Sequence, residues 1–525
     1  MNDLLTIPQA SEFATQFLKK LVTTSNISYL IQYGRVPKLG ENGKTQIRKY
    51  DLVKYYNAFQ PNREAIWKKR LGNNLNWTLS FEQFKESETT KHVHRLHPYK
   101  GKFIPQLVEY FLDNHTDAFK KTVYFQKGDI VLDPFCGSGT TLVQANELGM
   151  HAIGIDVSAF NALIANLKIT QHDLAQVELT LAELTRRLKQ FLRNENTLKF
   201  EAELLEKLRV FNLKYFPSPE FKCKARRGEI DESKYGQEKE NSFLKTYEKL
   251  AEKYDIKLRQ KNAQSFLDKW YLQTVRHEID FMFAEIKKIK NIGVKKIVSL
   301  ILSRTVRSCR ATTHSDLATL KEPQITTYYC RKHGKICKPL FSILSWWKRY
   351  SVDTLQRLRQ FEKLRSATNQ ICLTGDSRSL DIFSELAKRQ PNLTILAKKQ
   401  KIKGIFSSPP YVGLINYHEQ HAYAYDLFGF KRNDEKEIGP LARGQGATAR
   451  ENYVESIAAV LRNCRQFLAD DFSVFLVAND KWNLYPRIAN LSGMRIVDRF
   501  KRPVLNRTER DKGAYCEEIF LMKNL

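Results

Sequence analysis

Two short stretches of this 525-residue chain bring together residue types that could do chemistry. The first runs from Asp133 to Thr140 and reads DPFCGSGT. Gly137 and Gly139 let the backbone take a positive φ and come close to a ligand, because neither carries a β carbon. The loop begins with an acid and lacks the Lys and Ser/Thr pair of a phosphate-binding P-loop. A ligand with an ammonium group therefore suits it better than a pyrophosphate does.

The second stretch, at residues 407–411, reads SSPPY. The Pro409 and Pro410 rings restrict the backbone, so the Ser408 hydroxyl and the Pro409 carbonyl are hydrogen-bond acceptors on a rigid turn. Tyr411 adds an aromatic face on which a planar ligand can stack. A rigid turn without a chemical role is the plain alternative, because diproline turns are common.

Buried strands have to position both stretches. Residues 130–132 are an apolar run of the kind that forms a parallel strand covered on both faces. Residues 140–148 have helical periodicity, with Gly149 as a C-terminal cap. A second apolar strand at residues 151–155 ends at Asp156, an acid placed to hydrogen-bond a ribose hydroxyl. The order strand, glycine loop, helix, strand and acid predicts a nucleotide-binding unit.

The remaining strands are predicted from five further segments. Residues 402–406 form the strand that leads into SSPPY, and a short strand from Ile371 precedes Asp376. Residues 472–478 form another buried strand. Residues 496–500 and 518–522 are predicted to pair as a closing hairpin.

With DPFCGSGTT and SSPPY in one chain, the sequence resembles the amino-methylating DNA methyltransferases. The SPPY form is most similar to those that act on the exocyclic N4 amine of cytosine. The resemblance implies an α/β, Rossmann-like fold that uses S-adenosylmethionine to methylate double-stranded DNA at a specific site, after flipping the base. It also implies a restriction-modification system, with a cognate restriction endonuclease as a further partner. Three alternatives stay open: an adenine-N6 DNA methyltransferase, an RNA or tRNA amino-methyltransferase, and an inactive DNA-binding regulator.

The resemblance also assigns roles to individual residues. The catalytic set is Ser408, Pro409, Pro410 and Tyr411. The cofactor-binding set is Lys102, Phe103, Ile104, Asp133, Phe135, Gly137, Gly139, Thr140, Asp156 and Asp376. Lys102, Phe103 and Ile104 could equally belong to a core helix with a basic entrance, and Asp376 could cap a helix.

The chemistry implied by this family begins from a poor nucleophile, because the lone pair of an exocyclic amine is delocalised into the base. If Ser408 and the Pro409 carbonyl accept hydrogen bonds from the amine, the nitrogen is drawn towards tetrahedral geometry and its lone pair turns to the methyl carbon. Tyr411 would stack on the flipped base. Since a sulfonium is an activated leaving group, positioning suffices, and no cysteine receives a catalytic role.

Residues 1–58 are similar to the winged helix-turn-helix domains of the excisionase and MerR type. Two helical runs are followed by a turn at residues 41–44 that lies between short extended pieces, as in the wing of a winged helix. The candidate DNA contacts are Ser25, Asn26, Ser28, Tyr29 and Arg35. A small helical cap with solvated lysines is the alternative. Residues 59–90 are polar and irregular, which predicts a linker.

Residues 91–177 and 366–525 are predicted to form the methyltransferase domain, the first part binding the cofactor and the second carrying SPPY. Between them, residues 178–365 are predicted to be a large, mostly helical insertion that recognises the target. Its Arg304, Arg307 and Arg310 lie in a basic, hydroxyl-rich run suited to phosphate and groove contacts, with a solvated face as the alternative. The polarity of residues 226–260 predicts mobility.

The formal charge of +29 favours polyanionic partners, nucleic acid first. Without an apolar run of spanning length, a signal peptide or a lipidation motif, we expect a bacterial-type cytoplasmic protein associated with the nucleoid rather than a membrane. The eight cysteines are scattered, as in a protein with reduced thiols. One group needs weighing as zinc ligands: Cys309, His314, Cys330, His333 and Cys337. The spacing from Cys330 to Cys337 is wider than is usual, so we predict buried thiols and no metal.

Overall fold

The computed structural model of the protein describes residues 3–18, 21–40, 45–57, 63–193, 195–259, 264–314, 320–505 and 513–525. The chain forms two compact units whose segments alternate in sequence. Unit 1 consists of Met1–Arg63, Glu183–Glu285 and Thr305–Trp346. Unit 2 consists of Glu64–Ala182, Ile286–Arg304 and Trp347–Leu525. The stretch predicted as one insertion is therefore divided, because residues 286–304 and 347–365 belong to unit 2.

The strands of the described residues are β1 (Leu4–Thr6), β2 (Gln46–Arg48), β3 (Ile130–Asp133), β4 (His151–Asp156), β5 (Tyr328–Cys330), β6 (Lys335–Cys337), β7 (Gln370–Thr374), β8 (Ile402–Ser407), β9 (Leu468–Ala478), β10 (Met494–Pro503) and β11 (Cys516–Asn524).

The α-helices of the described residues are α1 (Ile7–Leu18), α2 (Thr24–Gln32), α3 (Lys49–Asn57), α4 (Arg63–Leu71), α5 (Glu86–Thr89), α6 (Pro105–Leu112), α7 (Thr140–Glu147), α8 (Ala159–Ile169), α9 (Leu174–Arg193), α10 (Thr197–Tyr215), α11 (Glu220–Arg227), α12 (Glu232–Lys253), α13 (Phe266–Trp270), α14 (Gln273–Lys287), α15 (Ile292–Ser308), α16 (Leu344–Glu362), α17 (Ile382–Arg389), α18 (Pro391–Gln400), α19 (Ala422–Phe428), α20 (Ala447–Arg465) and α21 (Tyr485–Leu491). Among the helices the structure describes, we find none with the length and apolar character needed to cross a lipid bilayer.

Unit 2 is built on a seven-stranded sheet in the order β10-β11-β9-β8-β3-β4-β7. Neighbouring strands from β9 to β7 run parallel, whereas β11 and β10 are added antiparallel. Every residue of β3 is buried, as expected for a central strand of a sheet covered on both faces. The prediction of an α/β fold with a mostly parallel central sheet is confirmed.

The sheet brings the two chemical motifs to one edge. β3 and β8 are parallel neighbours, with Leu132 opposite Ile405, so their carboxyl ends lie side by side. Asp133 ends β3 and leads into the glycine loop, and Ser407 ends β8 and leads into SSPPY. In open α/β sheets, ligands bind at this carboxyl edge.

The closing hairpin has the predicted pairing, with Ile496 opposite Met522 and Phe500 opposite Ile519.

Two other regions are more regular than their polar sequences suggested. Residues 63–90 contain α4 and α5 and bury Trp67 and Leu79, rather than forming an irregular linker. The stretch at 226–260 contains the long helix α12, because an apolar stripe is buried among its charged residues: Phe243, Tyr247 and Leu250.

The N-terminal part of unit 1 contains β1, α1, α2, β2 and α3, with β1 and β2 paired antiparallel. A small core holds these elements together, and it includes Ala14, Ile27 and Leu52. Thr23 caps α2 in a reciprocal capping box with Asn26. The turn predicted at residues 41–44 lies outside the described residues, so the winged helix-turn-helix assignment stays a prediction.

Gly139→Ala is expected to destabilise the protein more than Gly429→Ala. Both glycines are left-handed, with φ of +78° and +68°, so each replacement carries a backbone cost of about 1–2 kcal/mol. A β carbon at Gly139 would lie 2.8 Å from that of Ala165, whereas nothing lies within 4 Å at Gly429. Overpacking should add about 1–3 kcal/mol for Gly139 alone. Calorimetric melting of both variants measures the difference, and equal melting temperatures would contradict the close packing of this loop against α8.

Candidate active site

The glycine loop between β3 and α7 is fastened to the end of β4. The Cys136 amide donates to the Ile155 carbonyl at 3.0 Å, and the Gly137 amide donates to Asp156 Oδ2 at 2.8 Å. A β carbon at Gly137 would lie 3.0 Å from the Tyr99 ring. The loop therefore forms a cradle whose depth requires glycine.

A first cavity lies at the carboxyl edge of the sheet, with an empty volume of about 880 Å³ including its mouth. Most of the predicted cofactor residues line it: Lys102, Phe103, Phe135, Gly137, Thr140, Asp156 and Asp376. Ser408 and Pro410 line it from the SSPPY turn. Among the described residues that line this cavity we do not find Ile104, Asp133 or Gly139.

Asp133 lies behind the cavity wall and is 1% exposed. Its Oδ1 accepts hydrogen bonds from the Ser407 hydroxyl at 2.5 Å and from the Phe135 amide at 3.2 Å. Burial raises the pKa of Asp133 to about 6, although these hydrogen bonds oppose the shift. Asp133 was predicted to contact an ammonium group of the ligand. In the structure its carboxylate instead joins the ends of β3 and β8.

Asp156 lines the first cavity from the end of β4. The Ser158 amide and Asn161 Nδ2 donate to its Oδ1 at 2.8 and 3.1 Å. Enclosure by the surrounding protein raises the pKa of this carboxyl to about 6, because burial disfavours the charged form. A carboxylate has about four lone-pair sites, so Asp156 keeps capacity to accept a ligand hydroxyl.

Two predicted cofactor residues also have partners within the protein. Lys102 Nζ donates to the His94 carbonyl at 2.6 Å, and burial lowers the pKa of Lys102 to about 8. Asp376 accepts a hydrogen bond from Arg378 Nη2 at 2.6 Å. Despite burial, this partner lowers the pKa of Asp376. Asp381, not Asp376, caps α17, so the capping alternative for Asp376 is wrong for that helix.

Besides the Ser407 hydroxyl, two side chains of the SSPPY turn donate hydrogen bonds to neighbouring strands. The Ser408 hydroxyl donates to the Val477 carbonyl on β9 at 3.1 Å, which leaves the serine oxygen as an acceptor. The Tyr411 hydroxyl donates to Glu517 Oε1 at 2.9 Å and fixes the ring. Pro409, which lies between Ser408 and Tyr411 in the sequence, is buried.

A second cavity, of about 1260 Å³ including its mouth, adjoins the first. The two share part of their walls: Gly101, Lys102, Phe103 and Ser408. Ile104, Tyr411, Phe81 and Phe84 line the second cavity. Ser408 thus lies on the wall that the two cavities share.

A known protein is similar in sequence to this chain along almost its whole length. A family model described as DNA methylase, of the N6/N4 methyltransferase type, matches residues 18–166. The type II methyltransferase M.MjaII of Methanocaldococcus jannaschii is 45% identical over 528 residues, which cover 99% of this chain and 97% of that protein. The chain belongs to the N6/N4 DNA methylase family. The expectation of an amino-methyltransferase is confirmed.

Shorter matches link the DNA methylase to two other relatives. The type II methyltransferase M.MvaI of Kocuria varians is 26% identical over 115 residues, covering 22% of this chain and 24% of that protein. The tRNA (guanine(10)-N2)-dimethyltransferase of M. jannaschii is 31% identical over 104 residues, covering 19% and 30% respectively.

Sequence reasoning missed several residues that enclose the first cavity of the DNA methylase. Tyr99 lines it and stacks on Tyr417, with ring centroids 6.2 Å apart. Glu437 is buried and accepts hydrogen bonds from the amides of Tyr417 at 3.2 Å and His418 at 2.5 Å. The aromatic, His-rich run from Tyr417 was visible in the sequence, but no local signal pointed to Glu437 or Tyr99.

The N-terminal candidate DNA contacts of the DNA methylase lie on or beside α2. Ser25, Asn26 and Ser28 are exposed, whereas Tyr29 is half-buried. Asn26 Oδ1 accepts from the Thr23 amide at 2.9 Å, so part of its hydrogen-bonding capacity serves the helix cap. Arg35 follows α2 and donates to the Tyr55 hydroxyl at 3.0 Å, which fixes its guanidinium beside α3.

The arginines of the predicted recognition run lie in different settings. Arg304, in unit 2, is 5% exposed, pairs with Asp353 at 2.5 Å and covers the Tyr350 ring. In unit 1, Arg310 is 8% exposed and its Nε donates to the Arg307 carbonyl at 3.0 Å. Arg307 is half-buried. Burial disfavours a phosphate contact for Arg304 and Arg310, and the predicted role of Arg307 stays a prediction.

Asp133→Asn is expected to remove part of the pH dependence of stability. The native pKa of about 6 lies above the model-compound value of 3.8, so the carboxyl destabilises the native state above pH 6 and not below pH 4. Between pH 5 and pH 7.5 the free energy of unfolding of the unmodified protein should therefore fall by about 1–2 kcal/mol, and that of the variant should not show this fall. Urea unfolding of both proteins at the two pH values measures this difference.

Asp470→Asn is the control for this experiment, because Asp470 is an exposed carboxylate near the start of β9. The free energy of unfolding of this control variant should change between the two pH values as it does in the unmodified protein. If Asp133→Asn also shows the unmodified pH dependence, the raised pKa of Asp133 is refuted.

Proposed function

We propose that this DNA methylase transfers the methyl group of S-adenosylmethionine to the exocyclic N4 amine of cytosine in double-stranded DNA, at a specific site and after base flipping. The observation that carries the proposal is the position of Ser408. This serine lies on the wall shared by two cavities, and its hydroxyl proton is engaged by the Val477 carbonyl. Its oxygen is therefore an acceptor at the place where a cofactor and a base would meet.

The chemistry of the first cavity fits S-adenosylmethionine. Gly137 provides a cradle that a β carbon would fill, Asp156 offers a carboxylate to ribose hydroxyls, and the rings of Tyr99 and Phe135 offer apolar faces to adenine. When bound, this cofactor supplies an electrophilic methyl group on a sulfonium. The residues of the cavity bind and orient it.

The second cavity is proposed to receive the flipped base. An exocyclic amine is inaccessible within a stacked duplex, so the base has to leave the helix. Tyr411, Phe81 and Phe84 give this cavity aromatic faces suited to stacking on a base. The hydrogen bond from Tyr411 to Glu517 fixes the ring before the base arrives, so little reorganisation is needed.

Activation of the amine is proposed to rest on two acceptors of the SSPPY turn. Ser408 Oγ and the Pro409 carbonyl accept the two amine hydrogens, which localises the nitrogen lone pair. Pro409 and Pro410 hold the carbonyl rigidly, because their rings fix the backbone. Serine at position 408 favours cytosine as the target. Family members that carry Asp or Asn at the matching position resemble the enzymes that methylate adenine.

DNA association is proposed to use the net charge of +29 and the N-terminal helix-turn-helix, with α2 presenting Ser25 and Ser28 to solvent. The name of the relative M.MjaII places that protein among type II methyltransferases. By analogy, we propose a role beside a cognate restriction endonuclease in a restriction-modification system.

Ser408→Ala and Tyr411→Ala are expected to lower methyl transfer by about 100-fold or more, because the first removes an acceptor used in the transition state and the second a stacking face. Cofactor affinity should change by less than about twofold, and Tyr411→Phe, which keeps the ring, should retain most activity. Transfer of labelled methyl groups from S-adenosylmethionine to duplex DNA or to tRNA measures activity, and calorimetry measures cofactor binding.

Nucleoside analysis of the labelled product decides the target. N4-methylcytosine in DNA supports the proposal, N6-methyladenine supports the adenine alternative, and label in tRNA alone supports the RNA alternative. Loss of cofactor binding in Ser408→Ala would contradict the assignment of Ser408 to the amine.

The double variant Ser25→Glu/Ser28→Glu is expected to weaken duplex binding by about 10-fold at low salt, because two negative charges would face the phosphates. An acid at residue 25 suits the first turn of α2, so the fold should persist. Fluorescence anisotropy with a mixed-sequence duplex measures the affinity.

Gln16→Glu is the matched control, since Gln16 is exposed on α1. It should bind DNA nearly as well as the unmodified protein. Equal affinities of the double variant and this control would remove α2 from the DNA interface.

A further inference from the structure

The β5–β6 hairpin of unit 1 is a small element with unusual side chains. Cys330 ends β5, Cys337 ends β6, and His333 lies in the turn between the two strands. The turn is tight, with the Gly334 amide donating to the Cys330 carbonyl at 2.7 Å and Gly334 at a φ of +62°. The chain that precedes the hairpin brings His314 to the same place.

Four donor atoms converge there. One ligand atom from each of His314, Cys330, His333 and Cys337 lies within 4.8 Å of the other three. His333 Nδ1 is 3.4 Å from Cys337 Sγ. Around a tetrahedral zinc ion with bonds of about 2.3 Å to sulfur and about 2.0 Å to nitrogen, such a pair would be separated by about 3.5 Å. The group therefore has nearly the spacing of a coordination sphere.

The surroundings orient His314 as the neighbours of metal ligands do. The Tyr328 hydroxyl lies 2.7 Å from His314 Nδ1 and accepts a hydrogen bond from the His314 amide at 3.1 Å. A partner on one ring nitrogen leaves the other, Nε2, for a metal ion.

The hairpin is short, and it packs against helices α10 and α12 of unit 1. Its strands are three residues each, and its core consists of Tyr328, Cys330 and Cys337. Two-stranded hairpins of this size are marginal on their own. The Tyr329 amide donates a hydrogen bond to Glu240 of α12, and the Ile336 amide donates one to Asn212 of α10. These two contacts do not involve His314, which is held by Tyr328 of β5.

We propose that His314, Cys330, His333 and Cys337 form a structural zinc site that ties the hairpin to the segment carrying His314. Two thiolates and two imidazoles in a closed set of four select zinc over the harder divalent ions. The ligand spacing is Cys-x2-His-x3-Cys, so His333 divides the interval that looked too wide between the two cysteines. Cys309, which the sequence had grouped with these residues, is buried and stands outside the converging set.

The first test is metal content of the full chain, purified and dialysed against metal-free buffer. Elemental analysis should find about one zinc ion per chain. Cys330→Ser and Cys337→Ser should lose it, while Cys223→Ser, a half-buried thiol in the same unit, should retain it. Cobalt substitution should give the visible absorption of a tetrahedral site together with a thiolate-to-metal band, and only in the chains that retain the site.

A second measurement does not depend on the folding of variants. Titration of the unmodified protein with a mercurial reagent should release zinc to a colorimetric chelator as two thiols are modified. Absence of zinc from the unmodified protein, unchanged zinc in both serine variants, or a disulfide between Cys330 and Cys337 found by mass spectrometry would each overturn the proposal.

Discussion

A buried hydrogen bond between the Ser407 hydroxyl and the Asp133 carboxylate joins the ends of two parallel strands, and the arrangement of the active site depends on it. Its partners are 274 positions apart in the chain. A second bond, from the Thr141 hydroxyl to the Phe406 carbonyl, fastens α7 to the same strand. An unpaired carboxylate at this depth would be costly, so the acid and the serine require one another. The pairing makes the glycine loop and the SSPPY turn parts of one edge.

At that edge, the loop after β3 carries Gly137, the end of β4 carries Asp156, and the turn after β8 carries Ser408 and Tyr411. The proposed reaction needs little conformational change at this edge of the sheet. The serine proton already has a carbonyl acceptor, and the tyrosine hydroxyl already has a carboxylate. Groups that are satisfied before a substrate arrives need little reorganisation in the transition state, which is how positioning contributes to rate.

The sequence predicted the parts of the fold that follow from local pattern. Uninterrupted apolar runs predicted β3, β4 and β8, and two short segments near the end of the sequence predicted the pairing of β10 with β11. Local pattern could not predict contacts made by distant segments. Tyr99 and Glu437 enclose the first cavity only because the chain returns there, and the burial of Arg310 depends on its tertiary setting. Polarity also misled for α12, since Phe243, Tyr247 and Leu250 outweigh its charged residues once one face is covered. The group with His333 between Cys330 and Cys337 was visible in the sequence, but its spacing was judged from cysteine to cysteine alone.

The partition formed by Lys102, Phe103 and Ser408 has a thermodynamic consequence. Because the same side chains face both chambers, a molecule that shifts them in one chamber changes the free energy of filling the other. Such linkage is reciprocal, so a cofactor that tightens the hold on a base must itself be held more tightly once the base is present. In the proposed reaction, loss of the methyl group would change the contacts of the cofactor with the partition, and this change would favour release of the modified strand.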